Sequence, residues 1–528
     1  MGNLLQGCFL YRWALAIFAW FSRVADGSRV RRGISVCWES SKLAAFLHRC
    51  LSSGTVQIDE SRTKHLLSDC NERLCARKST ARWVESSVLY RIYRAVFTCG
   101  RGSRIFGWLF SGGMTAVLLF AIGLYVLIDY VLRDVMAIPV VSSVWDEALL
   151  LLCIVWLIWE RKKAPSAISP KLNPLDFPVA IFLTVCFVLL CVVCPYLSIQ
   201  IAGFRATCQY LLWFYLVTRL IRNDRDCMTL YLTLVALSFV LSLHGIYQYI
   251  TKAPMPASWV AQAETAVRTR VYSIFGSPNI MGDFMVMVAP MCAGLAYCVK
   301  DTKWKIAAWI GTILMCIACL FTMSRASWVA MAIAVVIFVL LVDRRLLALL
   351  AVAGIGACFV PFVRTRIGFL FTDDFAAANT SGGRAGRKLN ALNLFYAGNP
   401  WVGVGEGMFG GAVAMQNQVL DGIDYFYVDN YFLKTMVEMG YCGLAAFCLM
   451  LLGFLGAACR ALYRKAQDFK AGLDRLFPLC AGMFAGLCGV IVHCFFENIF
   501  EEPYMMAYFW SIAGLLAYIG FLRKEARA

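Results

Sequence analysis

From residue 107 to residue 522 the chain is a succession of apolar stretches separated by short polar connections. Twelve stretches are long enough, as helices, to approach or exceed the hydrocarbon thickness of a bilayer: 107–131, 144–160, 176–194, 204–221, 227–249, 275–299, 304–323, 326–342, 345–362, 430–459, 476–499 and 503–522. In lipid every backbone amide must find its partner within the protein, which for isolated stretches of this length means a helix. The expected fold class is therefore an all-α polytopic membrane protein with about 12 transmembrane helices. Composition agrees, because a chain that is 61% hydrophobic and only 15% charged cannot cover the surface of a soluble protein of 528 residues.

The connections set an orientation. RKK (161–163), IRNDRD (221–226), KDTKWK (300–305), DRR (343–345), the 460–475 segment and the RKEARA tail fall on one side, which the positive-inside rule makes the cytoplasm. Both termini lie there, and an even number of spans is consistent with that. The formal charge of +17 is thus mainly topological and does not indicate a nucleic-acid partner. Residues 1–106 carry 17 Lys/Arg against 7 Asp/Glu and are read as a basic cytoplasmic arm against anionic headgroups. Within it, Cys8–Phe21 is short and interrupted by Arg12, which suits an interfacial helix. No basic and apolar leader precedes Leu5-Gln6-Gly7-Cys8, so no signal peptide is read there. Residues 107–528 form the transmembrane domain. Many of the 23 cysteines lie inside apolar runs and are read as small packing residues.

The opposite, extracytoplasmic face carries two longer connections, 250–274 and 363–429. A loop as long as the second is usually functional, and GRAGRKLNALNLFYAG within it (383–398) reads as an amphipathic helix on the outer leaflet. This face should be poor in basic residues, yet Arg205, Arg268, Arg270, Arg325, Arg384 and Arg387 all map to it. Any one of them is readily explained by snorkelling to headgroups. Together, from four separate connections, they point to an anionic ligand, and the guanidinium fork suits phosphate oxygens.

Polar residues inside the apolar stretches indicate a lined cavity. Pro278, Asn279 and Asp283 interrupt one helix, and Asn430, Lys434 and Glu438 recur every fourth residue along another. The bland readings are an N-cap for Asp429 or Asn430 and a structural Lys434–Glu438 pair between helices. Other signals are discounted. GVGEGMFGG (403–411) lacks the strand–turn–helix context of a dinucleotide loop and reads as close backbone packing. Asp224-Arg225-Asp226 reads as cytoplasmic surface, and His48, His65, His244 and His493 have no metal-ligand spacing.

Four segments, in order, resemble one family: RVYSIFGSPNIMGDF, FTMSRASWVAM, GRAGRKLNALNLFYAGNPWVGVGEGMF and DNYFLKTMVEMGYCGL. The resemblance is to the O-antigen ligase and O-antigen polymerase superfamily and covers roughly residues 200–450. It implies a C-type glycosyltransferase-like fold with no metal or other cofactor, and a glycan donor carried on undecaprenyl diphosphate. The acceptor would be a lipid A–core sugar for a ligase, or the next lipid-linked repeat for a polymerase. Arg270, Arg325 and Arg384 match motif arginines, and Asn279 and Asn430 match motif asparagines. Asp429 stands where the family has histidine, which makes it the candidate proton acceptor and leans towards a polymerase. Arg205, Arg268, Arg387 and Glu438 are expected to line the substrate. The competing classes are a shape-and-division-type peptidoglycan polymerase and a lipid-linked glycan transporter.

Overall fold

The computed structural model describes residues 86–104, 106–163, 173–193, 195–256, 259, 269–372, 384–420 and 427–523. Most of the basic arm (1–85) and Arg268 therefore lie outside the described residues. For Arg384 only the backbone is described. Among the described residues there is no strand, and long helices dominate.

In chain order the helices are α1 (Val88–Gly102), α2 (Gly107–Ser111), α3 (Gly113–Gly123), α4 (Tyr125–Tyr130), α5 (Pro139–Lys163), α6 (Asp176–Val192), α7 (Leu197–Cys208), α8 (Leu212–Leu220), α9 (Asp224–Ile250), α10 (Pro278–Cys298), α11 (Thr302–Phe321) and α12 (Arg325–Val342). There follow α13 (Leu346–Phe359), α14 (Pro361–Gly368), α15 (Arg384–Ala397), α16 (Ala412–Asn417), α17 (Tyr431–Lys470), α18 (Phe477–His493) and α19 (Pro503–Ala517). Among them seven are long and apolar enough to cross a membrane, or eight if α3 and the segment Tyr125–Val135, bent by 70°, count as one span. Each of the twelve apolar stretches contains helix, but α6, α13 and α18 are shorter than a full crossing. The 204–221 stretch is divided between α7 and α8 by a 3₁₀ turn at Gln209–Leu211. The amphipathic pattern at 383–398 folds as α15.

The centre of the bundle is α10, wrapped by α11, α12 and α18. Small residues permit the close contact. A side chain at Gly482 or Gly486 of α18 would collide with the backbone carbonyls of Pro290 and Met287 on α10, so the two backbones touch in the manner typical of membrane helices.

The most informative irregularity is in α17. Gly440 takes φ +66° there, and the helix breaks. In an unbroken helix Tyr441 and Cys442 would donate to the carbonyls of Val437 and Glu438. Instead residues 400–405 thread into the break: Tyr441 N–H donates to Pro400 O at 2.8 Å and Cys442 N–H to Trp401 O at 3.1 Å. Conversely Val404 N–H donates to Val437 O at 3.0 Å and Gly405 N–H to Glu438 O at 2.9 Å. Both orphaned donors and both orphaned acceptors are thus satisfied, as a non-aqueous setting demands. The glycine-rich GVGEGMFGG segment packs by close backbone approach here: Gly407 lies against Gly203 of α7, and Gly403 against the carbonyl of Glu438.

At the other end of the bundle, Arg523 pairs with Asp224 and Asp474, each at 2.7 Å, and Lys465 with Asp474 at 3.1 Å. The surface reading of Asp224-Arg225-Asp226 needs correction at its last residue. Asp226 is buried and accepts hydrogen bonds from Arg222, because it sits in the first turn of α9 and folds back on the preceding connection.

Candidate active site

The helices α10, α12 and α17 begin at one end of the bundle, and α18 finishes there. Their first turns are tied together. Ser327 Oγ in α12 donates to Asn279 O in α10 at 3.5 Å. Tyr431 N–H at the start of α17 donates to Cys494 O, just past α18, at 2.9 Å. Asn430 is the N-cap of α17, its side chain accepting from Leu433 N–H at 2.9 Å, and Ser324 caps α12. Helix N-termini carry unsatisfied N–H groups and partial positive charge, so gathering three of them favours negative charge at this end.

Arg270 precedes α10 and is buried. Its Nε donates to Thr322 O at 3.0 Å, Nη1 to Trp259 O at 2.8 Å and Nη2 to Asn279 Oδ1 at 3.0 Å. The amide of Asn279 continues the chain, Nδ2 donating to Glu497 Oε2 at 2.7 Å. Arg270, Asn279 and Glu497 therefore form one polar line across the mouth between α10 and α18. The turn that receives Arg270 leads into α12. Its Met323 holds φ +54°, a conformation uncommon for a residue with a side chain. The Met323 carbonyl accepts from Arg366 Nε at 3.1 Å. Arg325, two residues further on, lies over the Phe369 ring at 5.6 Å.

The long connection adds a second pair. Arg387 Nη2 contacts Asp429 Oδ2 at 2.9 Å, and Nη1 donates to Tyr427 O at 3.0 Å. Asp429 is thus held by a guanidinium directly beside the Asn430 cap. Arg384 opens α15 one turn ahead of Arg387. Arg205, by contrast, pairs with Glu147 of α5 at 3.2 Å and remains largely exposed, so it joins a different set of partners.

Beneath the rim, Lys434 Nζ contacts Glu438 Oε2 at 2.7 Å, with both side chains buried. The pair lies within one helix rather than between helices. Glu438 Oε1 also accepts from Phe409 N–H at 3.2 Å, so Glu438 anchors the glycine-rich segment. Glu501 accepts from Ala412 N–H at 2.7 Å. Glu406 is buried in the same segment, and its carboxyl is pushed up to about 8, first by burial and next by the charge of Glu438, with Lys434 opposing. One turn below the Asn279–Glu497 contact, Asp283 Oδ1 and His493 Nδ1 lie 2.8 Å apart, both fully buried. Among the described residues no group of three His, Cys, Asp or Glu side chains is placed to hold a metal ion.

Sequence reasoning missed Glu497, Arg366 and the Asp283–His493 pair. Glu497 follows His493 by one helical turn, as Asn279 precedes Asp283 by one. That paired spacing was the available signal, but only α10 and α18 packing together gives it meaning.

Fold and site together define an all-helical polytopic membrane protein whose long helices deliver arginines, amides and carboxylates to one end. Residues 310–448 match the family model for O-antigen ligase. That match supports the O-antigen ligase superfamily for this chain, and with it a glycosyltransferase-like enzyme of a bacterial membrane. The matched segment includes Arg325, Arg366, Arg384, Arg387, Asp429, Asn430 and Glu438, whereas Arg270, Asn279 and Glu497 lie outside it. No match is found among curated proteins.

Proposed function

We propose that this protein transfers a glycan from undecaprenyl diphosphate to a sugar hydroxyl at the outer face of the bacterial inner membrane. The chain crosses the membrane twelve times in this reading, with both termini cytoplasmic. Residues 1–106 form an interfacial basic arm, and residues 363–429 an extracytoplasmic loop over the active face. What supports the reading is that the Arg270–Asn279–Glu497 line stands at the start of α10 and the Arg387–Asp429 pair at the start of α17, which the Tyr431–Cys494 hydrogen bond ties to the end of α18.

The acceptor hydroxyl oxygen bonds to the anomeric carbon as the bond from that carbon to the diphosphate oxygen breaks, with inversion. The electron pair leaves with undecaprenyl diphosphate, and the hydroxyl proton passes to Asp429. Negative charge grows on the leaving group, so Arg270, Arg325 and Arg384 act most strongly in the transition state, each contributing on the order of 2–4 kcal/mol. Asn279 and Asn430 orient sugar or phosphate groups, Arg268 and Arg387 complete the lining, and Glu438 supports it from below by holding Lys434 and the Phe409 amide. The carboxylate Asp429 at the family's histidine position favours polymerisation of lipid-linked repeats over ligation to lipid A–core.

The decisive experiment reconstitutes the purified protein with a lipid-linked oligosaccharide. Longer lipid-linked chains identify a polymerase, and glycan on a lipid A–core acceptor identifies a ligase. Lipid movement without new glycosidic bonds would overturn the proposal. Within that assay Arg325→Lys and Arg384→Lys should each lower the rate, because a point charge cannot reproduce the fork. Wild-type rates in both would reduce these arginines to headgroup contacts.

A further inference from the structure

We infer that His493 and Asp283 are positioning residues for the transfer step, a role that rests on the glycan-transfer reading. The contact between them holds the Arg270–Asn279–Glu497 line and the Arg387–Asp429 pair at a fixed spacing. α10 starts at the mouth and α18 ends there, and two polar contacts cross between them like rungs. The outer rung is Asn279 Nδ2 to Glu497 Oε2 at 2.7 Å, and the inner is His493 Nδ1 with Asp283 Oδ1 at 2.8 Å. Each residue of the inner rung stands four positions, about one helical turn, from its counterpart in the outer one.

His493 is joined to both halves of the site. Its carbonyl accepts from Phe496 N–H at 2.8 Å and from Glu497 N–H at 3.1 Å, so the turn that carries Glu497 hangs from it. The carbonyl of the next residue, Cys494, accepts from Tyr431 N–H at 2.9 Å, and Tyr431 directly follows Asp429 and Asn430. Through Asp283 the same imidazole grips α10, which carries Asn279 and, through its amide, Arg270. A slip of α18 along α10 would thus part Glu497 from Asn279 and carry the start of α17 with it.

Adhesion between the two helices does not call for such a pair. Gly482 and Gly486 already let the backbones of α18 and α10 touch, and apolar side chains would bury at lower cost. Both residues of the rung are fully buried, and Asp283 Oδ2 and His493 Nε2 reach no polar partner among the described residues, which leaves their desolvation uncompensated. What a directional hydrogen bond adds, and apolar packing lacks, is one defined register along the helix axis.

The test compares the full-length wild type in nanodiscs with the double variant Asp283→Ala, His493→Leu, which removes both polar groups together. Its thermal midpoint should equal or exceed that of wild type. In the reconstituted transfer assay kcat should fall about tenfold or more, with the KM for the lipid-linked donor within about twofold. Amide exchange at Glu497 and Tyr431 should quicken about tenfold or more, because the turn that anchors them has lost its register. A stable double variant with the wild-type kcat overturns the inference, as does a change confined to KM. Unaltered exchange at both amides overturns it whatever the rate. Asp283→Val, His493→Leu is the second apolar pair, and if neither pair folds, the rung serves folding alone and the inference fails. A wild-type protein that forms no glycan product overturns the glycan-transfer reading, and the exchange measurement still decides whether the rung sets the spacing.

Discussion

Asn279 Nδ2 donates to Glu497 Oε2 at 2.7 Å, joining the first turn of α10 to the connection beyond α18. Because Asn279 Oδ1 also accepts from Arg270, one amide sets both a cation and a carboxylate. The amide can do this because it is donor at one end and acceptor at the other. Asn279→Ala should therefore lower glycan transfer more than about tenfold. Asn279→Asp should be no better, because it sets two carboxylates together. Initial rates in the reconstituted assay, with thermal midpoints as a control for folding, decide it. Full activity in Asn279→Ala would mean that the line is structural.

Asp429 is the first residue to replace. If it accepts the hydroxyl proton, Asp429→Asn should cut the rate by roughly 10²-fold or more while leaving donor binding near normal. Asp429→Ala should do at least as much, since it also strips Arg387 of its partner. The readout is transfer rate set against undecaprenyl diphosphate affinity. Unchanged surface glycan in both variants would remove Asp429 from the chemistry.

Lys434 and Glu438 make a buried ion pair, and breaking one side leaves a charge stranded. Lys434→Met and Glu438→Leu should each destabilise the protein by about 3–5 kcal/mol. The double replacement should recover much of that loss. Thermal midpoints in detergent give the three values, and an additive double variant would show that the two residues do not act as a pair.

Glu406 supplies a pH test. Its folded carboxyl is pushed up to about 8 from the ordinary 4.5, so the folded state binds the proton more tightly than the unfolded state. Stability from this group is present below about pH 4.5 and is lost as pH rises through about 8. The thermal midpoint should accordingly fall between about pH 5 and 9, and Glu406→Gln should flatten the fall and be the more stable form at the alkaline end. A variant whose pH profile parallels wild type would exclude Glu406 as the source.

Gly440 should tolerate no side chain. A Cβ there would meet the Trp401 carbonyl, and the left-handed φ adds strain. Gly440→Ala should cost roughly 1–3 kcal/mol and loosen residues 400–405, read as faster amide exchange at Val404 and Gly405. Unaltered exchange would mean that the break is held by other contacts.

The sequence by itself determined the membrane class, the positions of the helices, the amphipathic α15 and the cap at Asn430. These depend on apolar length, periodicity and short-range hydrogen bonding, all of which are local. It also picked out Arg270, Asn279 and Asp429, because charged and polar groups at the ends of apolar helices are costly and so stand out. Only the tertiary structure decided which partners they meet. Arg387 was read as substrate lining and is found on Asp429, and Glu438 is found holding Lys434 and Phe409. The spacing of Glu497 from His493 means nothing alone and Arg366 carries no local signal; the packing of α18 on α10 and the fold of α14 back to the Met323 carbonyl bring them in. The helix break at Gly440 belongs to the same class. A glycine in an apolar run is ordinary, and it becomes a break only because residues 400–405 arrive to take the four backbone groups that it releases.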